Sequence, residues 1–509
     1  MKKILIMLFF LISIIIYALV LRGVSGNVVG ESIRGTLDTA TKPFELSPER
    51  GRFLLTYSLA ENKSFALSEK LAEAADPDVG YYKGKYFVYF GPGISILALP
   101  FYYIGKIYGL NQVGAYSVIA LFAWLNGILL YYISRKILGF KVWTSLLSSL
   151  IFAFGSVSLS YSNTMYQHHV STFLILSSFI AVWYYKKKSK FSVIGALYVW
   201  FAFGAGLFID YPNAVLMLPV MIYFFIVSFN VIPKLDKLKI SWRLSFLISF
   251  IVFILLIALH GFYNYTNFGD WKRVSGSLIG AKIAKDIQKQ NRETSDQKIS
   301  DVANQKVVTG FFKEEKIPMG FSILTLAIDK GIFIFSPIFI LALLGIYFSI
   351  TKPSLFMSAL LGTAGINLLF YSSWGDPWGG WAFGPRYLIP AMAVLSLFIS
   401  YFLNNTKWGF VAKITTFILF IPSAAIALVG ALTTNQVPPK IEADFLKMKY
   451  NFLLNFDYLF NNRSSSYIYN TFVSSYYSLY QFYVVILCVV IIMAAFILFV
   501  LPVFDNNEH

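Results

Sequence analysis

The chain has 509 residues, 57% of them hydrophobic and only 13% charged, where soluble domains carry roughly 25% charged residues. That balance excludes a soluble protein with a single anchor and specifies a polytopic membrane protein. The net charge of +17 therefore belongs to short basic loops and anionic lipid, not to nucleic acid, and the single cysteine, Cys488, excludes an intrachain disulfide or a cysteine metal site.

Apolar runs able to cross about 30 Å of hydrocarbon fall near 4–22, 112–134, 142–160, 169–185, 190–208, 211–229, 243–265, 331–350, 354–372, 387–404, 408–431 and 480–502. They predict an all-α membrane protein of about twelve transmembrane helices, a single domain over 1–509. The first run opens on Lys2-Lys3 and reads as an uncleaved span. The run 93–109 holds Pro92 at its start and Pro100 within it, and is read as a juxtamembrane or re-entrant helix. With it outside the count, the basic clusters Lys2-Lys3, Arg135-Lys136, Lys186-Lys187-Lys188 and Lys234 to Arg243 share one side. The positive-inside rule makes that side cytoplasmic. Loops 23–111, 161–168, 266–330, 373–386 and 432–479 then lie on the other side, the first with juxtamembrane helices and 266–330 with one surface helix around Lys282 to Asn304.

Polar residues of unusual type collect in those outer loops. Between Trp374 and Tyr387 stand three tryptophans, four glycines, two prolines, Asp376 and Arg386. Gly and Pro break a helix, so this is a shaped loop at a membrane surface, with aromatic faces for a sugar and a cation for a phosphate. No Walker A, dinucleotide fingerprint or His-Glu-x-x-His occurs.

Six pieces then occur in order: Ser47-Pro48-Glu49-Arg50-Gly51-Arg52-Phe53; Tyr81 to Gly93; Ile209-Asp210-Tyr211-Pro212; Tyr263-Asn264 to Asp270; Lys330-Gly331-Ile332-Phe333 before Ser336-Pro337; and Gly384-Pro385-Arg386-Tyr387-Leu388. In this order the chain resembles the GT-C superfamily of multi-spanning glycosyltransferases, in particular bacterial members similar to protein O-mannosyltransferases and lipid A aminoarabinose transferase. The resemblance implies inverting transfer from a polyprenyl-phosphate sugar to an envelope glycan, lipid or protein, on the non-cytoplasmic side of the cell membrane.

Such a reaction needs a carboxylate for the acceptor proton and cations for the leaving phosphate. The resemblance places the base at Glu49, with Asp76 and Asp78 as alternatives. Relatives often carry Asp, frequently Asp-Glu, at that position; here it is Pro48-Glu49. Arg386, with Tyr387, is the best candidate phosphate ligand, a role for which a guanidinium is suited, although an arginine at a span end also serves as an interfacial anchor. Lys83 and Lys85, at strand-like spacing, are further phosphate candidates. His168 and His169 line the site or hold acceptor or phosphate; a divalent cation shared with Glu49 stays open, and no other cofactor is implied. Asp210 caps a span on the outer side. Trp374, Trp378 and Trp381 offer stacking faces, although interfacial tryptophan belts are common. Asp376 orients donor hydroxyls or forms a turn. Tyr263, Asn264 and Asp270 are lesser candidates for the same cavity, and His260 is expected to bond between helices. Glu49 and Arg386 are expected to line one cavity. Two alternatives share this outer-face chemistry in part: a ligase or polymerase of lipid-linked glycans, and a transporter or flippase. The second class places ionisable groups at mid-membrane, where this chain has almost none.

Overall fold

The computed structural model describes residues 2–28, 45–187, 192–234, 237–282, 285 and 312–505. Its principal helices are α1 (Lys2–Leu19), α2 (Ser47–Glu61), α3 (Glu69–Ala75), α4 (Gly93–Ile107), α5 (Asn111–Tyr132), α6 (Val142–Phe154), α7 (His168–Lys186), α8 (Ser192–Ile209), α9 (Leu218–Ser228), α10 (Leu244–Phe268), α11 (Ile317–Thr325), α12 (Ile340–Thr351), α13 (Leu355–Ser372), α14 (Ile389–Asn405), α15 (Gly409–Leu432) and α16 (Leu479–Ala495).

Among the described residues, eight helices are long and apolar enough to cross a membrane, not about twelve. The difference lies in helix breaks. The run 142–160 stops at Phe154 before Gly155; 211–229 is divided at Met217 ahead of Pro219; 331–350 is divided at Ser336-Pro337. A proline donates no N–H and crowds the preceding turn, so these runs become shorter helices joined by turns. The run 169–185 does form the 19-residue α7, but it falls outside the eight.

Two small sheets are added to the helical fold. Strands β1 (Val79–Tyr82) and β2 (Lys85–Val88) form a hairpin, and β5 (Ile279–Gly280) pairs with the other edge of β1. Lys83 and Gly84, at the tip, both have positive φ (45° and 79°), the geometry of a two-residue primed turn. Strands β3 (Phe229–Lys234) and β4 (Lys237–Trp242) pair as a second hairpin. The surface helix expected around Lys282 to Asn304 lies almost wholly outside the described residues.

The bundle has two distinct ends. At one, the backbone N–H of Lys141 donates to Asn404 at 3.4 Å and Arg243 donates to Tyr185 O at 2.8 Å, joining the starts of α6 and α10 to the ends of α14 and α7. At the other, Asn163 donates to Val20 O and Ala431 O, both at 2.8 Å, tying the ends of α1 and α15 together. Helix α14 runs through the middle and is largely buried. The outer helices turn large apolar side chains outward, as Leu247, Ile251 and Leu255 do on α10, the pattern expected of a lipid-facing surface.

Candidate active site

Helix α2 builds one wall of a cavity of about 670 Å³. Pro48 and Arg52 line it, four residues apart and therefore on one helical face. Arg52 is buried, donates to Gln167 Oε1 at 2.9 Å, and lies 4.3 Å from the centre of the Phe90 ring. Arg50 points elsewhere. It donates to Ala74 O at 3.1 Å and Asp76 O at 2.9 Å, satisfying carbonyls at the end of α3.

The hairpin supplies the first cavity carboxylate. Asp78, just before β1, lines the cavity, and its Oδ2 accepts a hydrogen bond from Ser47 Oγ at 2.5 Å. Burial raises its carboxyl above the ordinary aspartate value, while the Ser47 bond, Arg52 and Arg386 pull the other way. Beyond β2, the turn Gly91-Pro92-Gly93 presses on the end of α8. A Cβ on Gly91 or Gly93 would meet Phe208 O at 2.5 or 2.6 Å, so only glycine allows this approach. Tyr89 and Phe90, just before this turn, line the cavity together with Asp210, the second cavity carboxylate. Asp210 is pushed up to about 6 by burial, against the pull of the Arg52 charge.

The loop before α14 supplies the second cation. Gly379, Gly380 and Gly384 adopt positive φ, turning the chain back so that Arg386 Nη2 donates to Gly379 O at 2.9 Å. Its Nε and Nη1 are buried and make no well-aligned hydrogen bond among the described residues; Tyr166 and Tyr387 are the side chains that interact with the guanidinium. Tyr166 lies between the two guanidinium groups, with Arg386 4.4 Å and Arg52 5.7 Å from its ring centre. Tyr387 stacks on Tyr371 at 4.3 Å with planes 2° apart, and Asn367 anchors the junction by donating to Tyr387 O at 3.0 Å. Behind the loop, buried Lys330 donates to Ala382 O and, at 3.3 Å, to Val437 O.

The expected residues divide accordingly. Arg386, Tyr387, His168, Asp78 and Asp210 line the cavity, as does Trp374. Glu49 does not: fully buried, it turns its carboxylate to the backbone N–H groups of Glu45 and Leu46. Glu49 and Arg386 are thus not brought together in one cavity. Asp76 forms a surface ion pair with Lys282 at 2.7 Å, and Lys83 and Lys85 are exposed at the hairpin tip. His169 is buried against Ser158 O at 2.9 Å. Asp376 is exposed and accepts the Gly380 N–H at 2.6 Å, which forms the turn. Trp381 donates to Glu442, and neither it nor Trp378 lines the cavity. Asn264 donates to Trp271 O at 3.1 Å and Asp270 accepts the Lys272 N–H at 3.0 Å, both local contacts outside the cavity lining, as is Tyr263. His260 packs against the ring of Phe208 at 4.6 Å. Among the described residues no three His, Cys, Asp or Glu side chains group as a metal site. Sequence reasoning missed Arg52, Ser47 and Tyr166 as parts of the site. The four-residue spacing from Pro48 was the available signal for Arg52.

No family model matches the chain, and no curated protein matches it in sequence. Among solved structures it is similar to ArnT from Cupriavidus metallidurans in the apo state, with a TM-score of 0.53 and 11% identity over 97% of this chain and 74% of that one. The fold is ArnT-like. ArnT from the same organism bound to undecaprenyl phosphate aligns at a TM-score of 0.46, 11% identity, covering 98% of this chain and 78% of that one. The archaeal oligosaccharyltransferase AglB from Archaeoglobus fulgidus, in complex with an inhibitory peptide and a dolichol-phosphate, aligns at 0.44 and 13% identity, covering 86% and 57%. At these identities the likeness is one of fold, and it singles out no particular family.

Proposed function

We propose that this protein is a membrane glycosyltransferase that takes a sugar from a polyprenyl-phosphate donor and inverts the anomeric centre in one displacement. The observation that carries this reading is the meeting, in one cavity, of two guanidinium groups and two carboxylates, with two Arg386 nitrogens left without a well-aligned hydrogen bond. An unpaired buried donor is costly unless a ligand fills it, and a phosphate matches the guanidinium fork. In the reaction the acceptor hydroxyl oxygen bonds to the anomeric carbon and its proton passes to Asp78. The bond from that carbon to the phosphate oxygen breaks, and the charge developing on the departing lipid phosphate is held by Arg386, with Arg52 adding to the field. Asp78 is chosen over Asp210 because it is the less buried of the two and Asp210 is the carboxylate most strongly coupled to Arg52. Tyr166, Tyr371 and Trp374 give the sugar and first isoprene units aromatic surfaces.

The site is assigned to the non-cytoplasmic face. Lys2-Lys3, Lys141 and Lys186-Lys187 lie at the bundle end opposite the cavity, as deduced from the helix directions and end contacts, and basic short loops stay in the cytoplasm. Helix α4 supports the same assignment. Its start rests on Phe208 and its end on Asn27, which donates to Lys106 O at 3.1 Å, so both of its ends belong to the cavity end of the bundle.

The test is sugar transfer by the purified protein in lipid nanodiscs, read as release of polyprenyl phosphate; undecaprenyl phosphate, the lipid bound in one ArnT structure, is the first carrier to use. Release that Arg386→Gln abolishes supports the reading. Release unaffected by Arg386→Gln, or vectorial transport of the intact lipid-linked sugar, contradicts it.

A further inference from the structure

The side of α2 turned away from the cavity carries charge that the transfer chemistry does not use. Glu49 is fully buried. Its Oε1 accepts the backbone N–H groups of Glu45 at 2.9 Å and Leu46 at 3.2 Å, while Oε2 has no partner among the described residues. Arg22, also fully buried, pairs with Glu45 at 2.9 Å. Glu45 Oε2 accepts in addition the N–H of Asn435 at 2.7 Å, and the Asn435 amide donates to Ser160 O at 2.7 Å. Through this network the first turn of α2 is tied to the chain after α1, to the segment after α15 and to the segment before α7.

Keeping an ionisable acid wholly inside a protein is costly unless its lone pairs are filled. An apolar side chain would fill the same space at lower cost, so the carboxylate needs a function. Its position supplies one. Glu49 is the third residue of α2 and reaches back over the helix start, the half of a capping box that fixes how the chain enters a helix. The same first two turns carry Ser47, which holds Asp78, and Arg52, which faces Asp210. Glu49 is therefore two residues and one hydrogen bond from the carboxylate assigned as base, yet its own carboxylate turns to the backbone N–H groups of Glu45 and Leu46.

We infer that Glu49 is a positioning residue for the transfer reaction: it locks the first turn of α2 so that Ser47 presents Asp78 and Arg52 to the cavity, and it takes no proton from the acceptor. This rests on the glycosyltransferase reading above. Pro48, beside it in sequence, lines the cavity together with Asp78, and Glu49 does not.

The experiment compares Glu49→Gln, Glu49→Asp and Glu49→Ala with wild type in nanodiscs. Gln keeps an acceptor oxygen at the same reach and is expected to stay within about tenfold of wild-type kcat; Asp, one methylene short, loses more; Ala loses about a hundredfold, with the donor KM little changed in all three. The acidic limb of the pH profile stays in place in Glu49→Gln and disappears in Asp78→Asn. An active Asp variant beside an inactive Gln variant, or a limb that vanishes in Glu49→Gln, is the signature of a base and overturns the proposal. Hydrogen–deuterium exchange over residues 45–53 reads the lock without any substrate. It should quicken in Glu49→Ala and remain near wild type in Glu49→Gln; unchanged exchange in Glu49→Ala overturns the lock whatever the activities. A wild type inert toward the donor, with that exchange pattern intact, contradicts the enzyme reading and leaves the lock standing.

Discussion

In the proposed reaction Arg386 and Asp78 divide the chemistry between them, and each has a property that a near neighbour in chemistry lacks. A lysine carries the same charge as Arg386 but has no planar fork. Arg386 already spends Nη2 on Gly379 O, and its guanidinium carbon lies 4.4 Å from the centre of the Tyr166 ring. Arg386→Lys is therefore expected to lose about 10- to 100-fold in kcat/KM, a cost of roughly 1.4–2.7 kcal/mol, measurable by steady-state kinetics. Asp78 must be ionised to accept a proton, and burial is the leading influence raising its carboxyl above the ordinary aspartate value. The sign follows directly: activity is present at high pH and lost as pH falls through that raised value. The acidic limb should lie above the usual aspartate range, and Asp78→Asn should lower transfer by about 10²–10⁴-fold while polyprenyl phosphate binding persists. A limb at the ordinary aspartate value would argue against a buried Asp78 as base.

Among the elements, the approach of the Gly91-Pro92-Gly93 turn to the end of α8 joins the segment after the β1–β2 hairpin to the helix that ends just before Asp210. Gly93→Ala would place a methyl group 2.6 Å from Phe208 O. Overpacking of this kind costs about 1–3 kcal/mol, and here the strain would move Phe90 and Tyr89 away from Asp210. A lowered melting temperature together with lost transfer is expected. Gly365→Ala on α13, where an added Cβ meets nothing within 4 Å, should be neutral or stabilising by about 0.4–1 kcal/mol. Equal effects at both positions would show that close contact is not the cause. The same scale explains why reading along the sequence put Glu49 in the cavity. Pro48 and Glu49 are neighbours in sequence but about 100° apart around a helix, and only the packing of α2 against the cavity shows which one faces inward. The hairpin was legible in part, since Lys83-Gly84 between aromatic residues is a turn signal. Its third strand, Ile279–Gly280, is too short for any pattern to reveal.

For the whole molecule, hydropathy found the eight long helices because the bilayer demands about 20 apolar residues in a row. It could not see that Gly155, Pro219 and Pro337 stand at breaks in three further runs, because an apolar run reads the same whether or not the backbone turns within it. The collection of Asp210, His168 and Arg386 in one cavity was legible for a related reason: polar groups are expelled from span centres, so those that remain near span ends stand out. Sidedness is open to direct measurement. After Cys488 is replaced by serine, single cysteines at Lys187 and at Lys83 should react with a membrane-impermeant maleimide from opposite sides, Lys83 from outside. Labelling of both from one side would place the cavity in the wrong compartment for this account.

The central claim is that one cavity holds the donor phosphate on Arg386 and leaves Asp78 free for the acceptor. A structure of the protein in nanodiscs with bound polyprenyl phosphate tests it most directly. The account predicts phosphate oxygens about 2.7–2.9 Å from Arg386 Nε or Nη1, with Asp78 facing the same space. A phosphate bound elsewhere, away from those nitrogens, would contradict it.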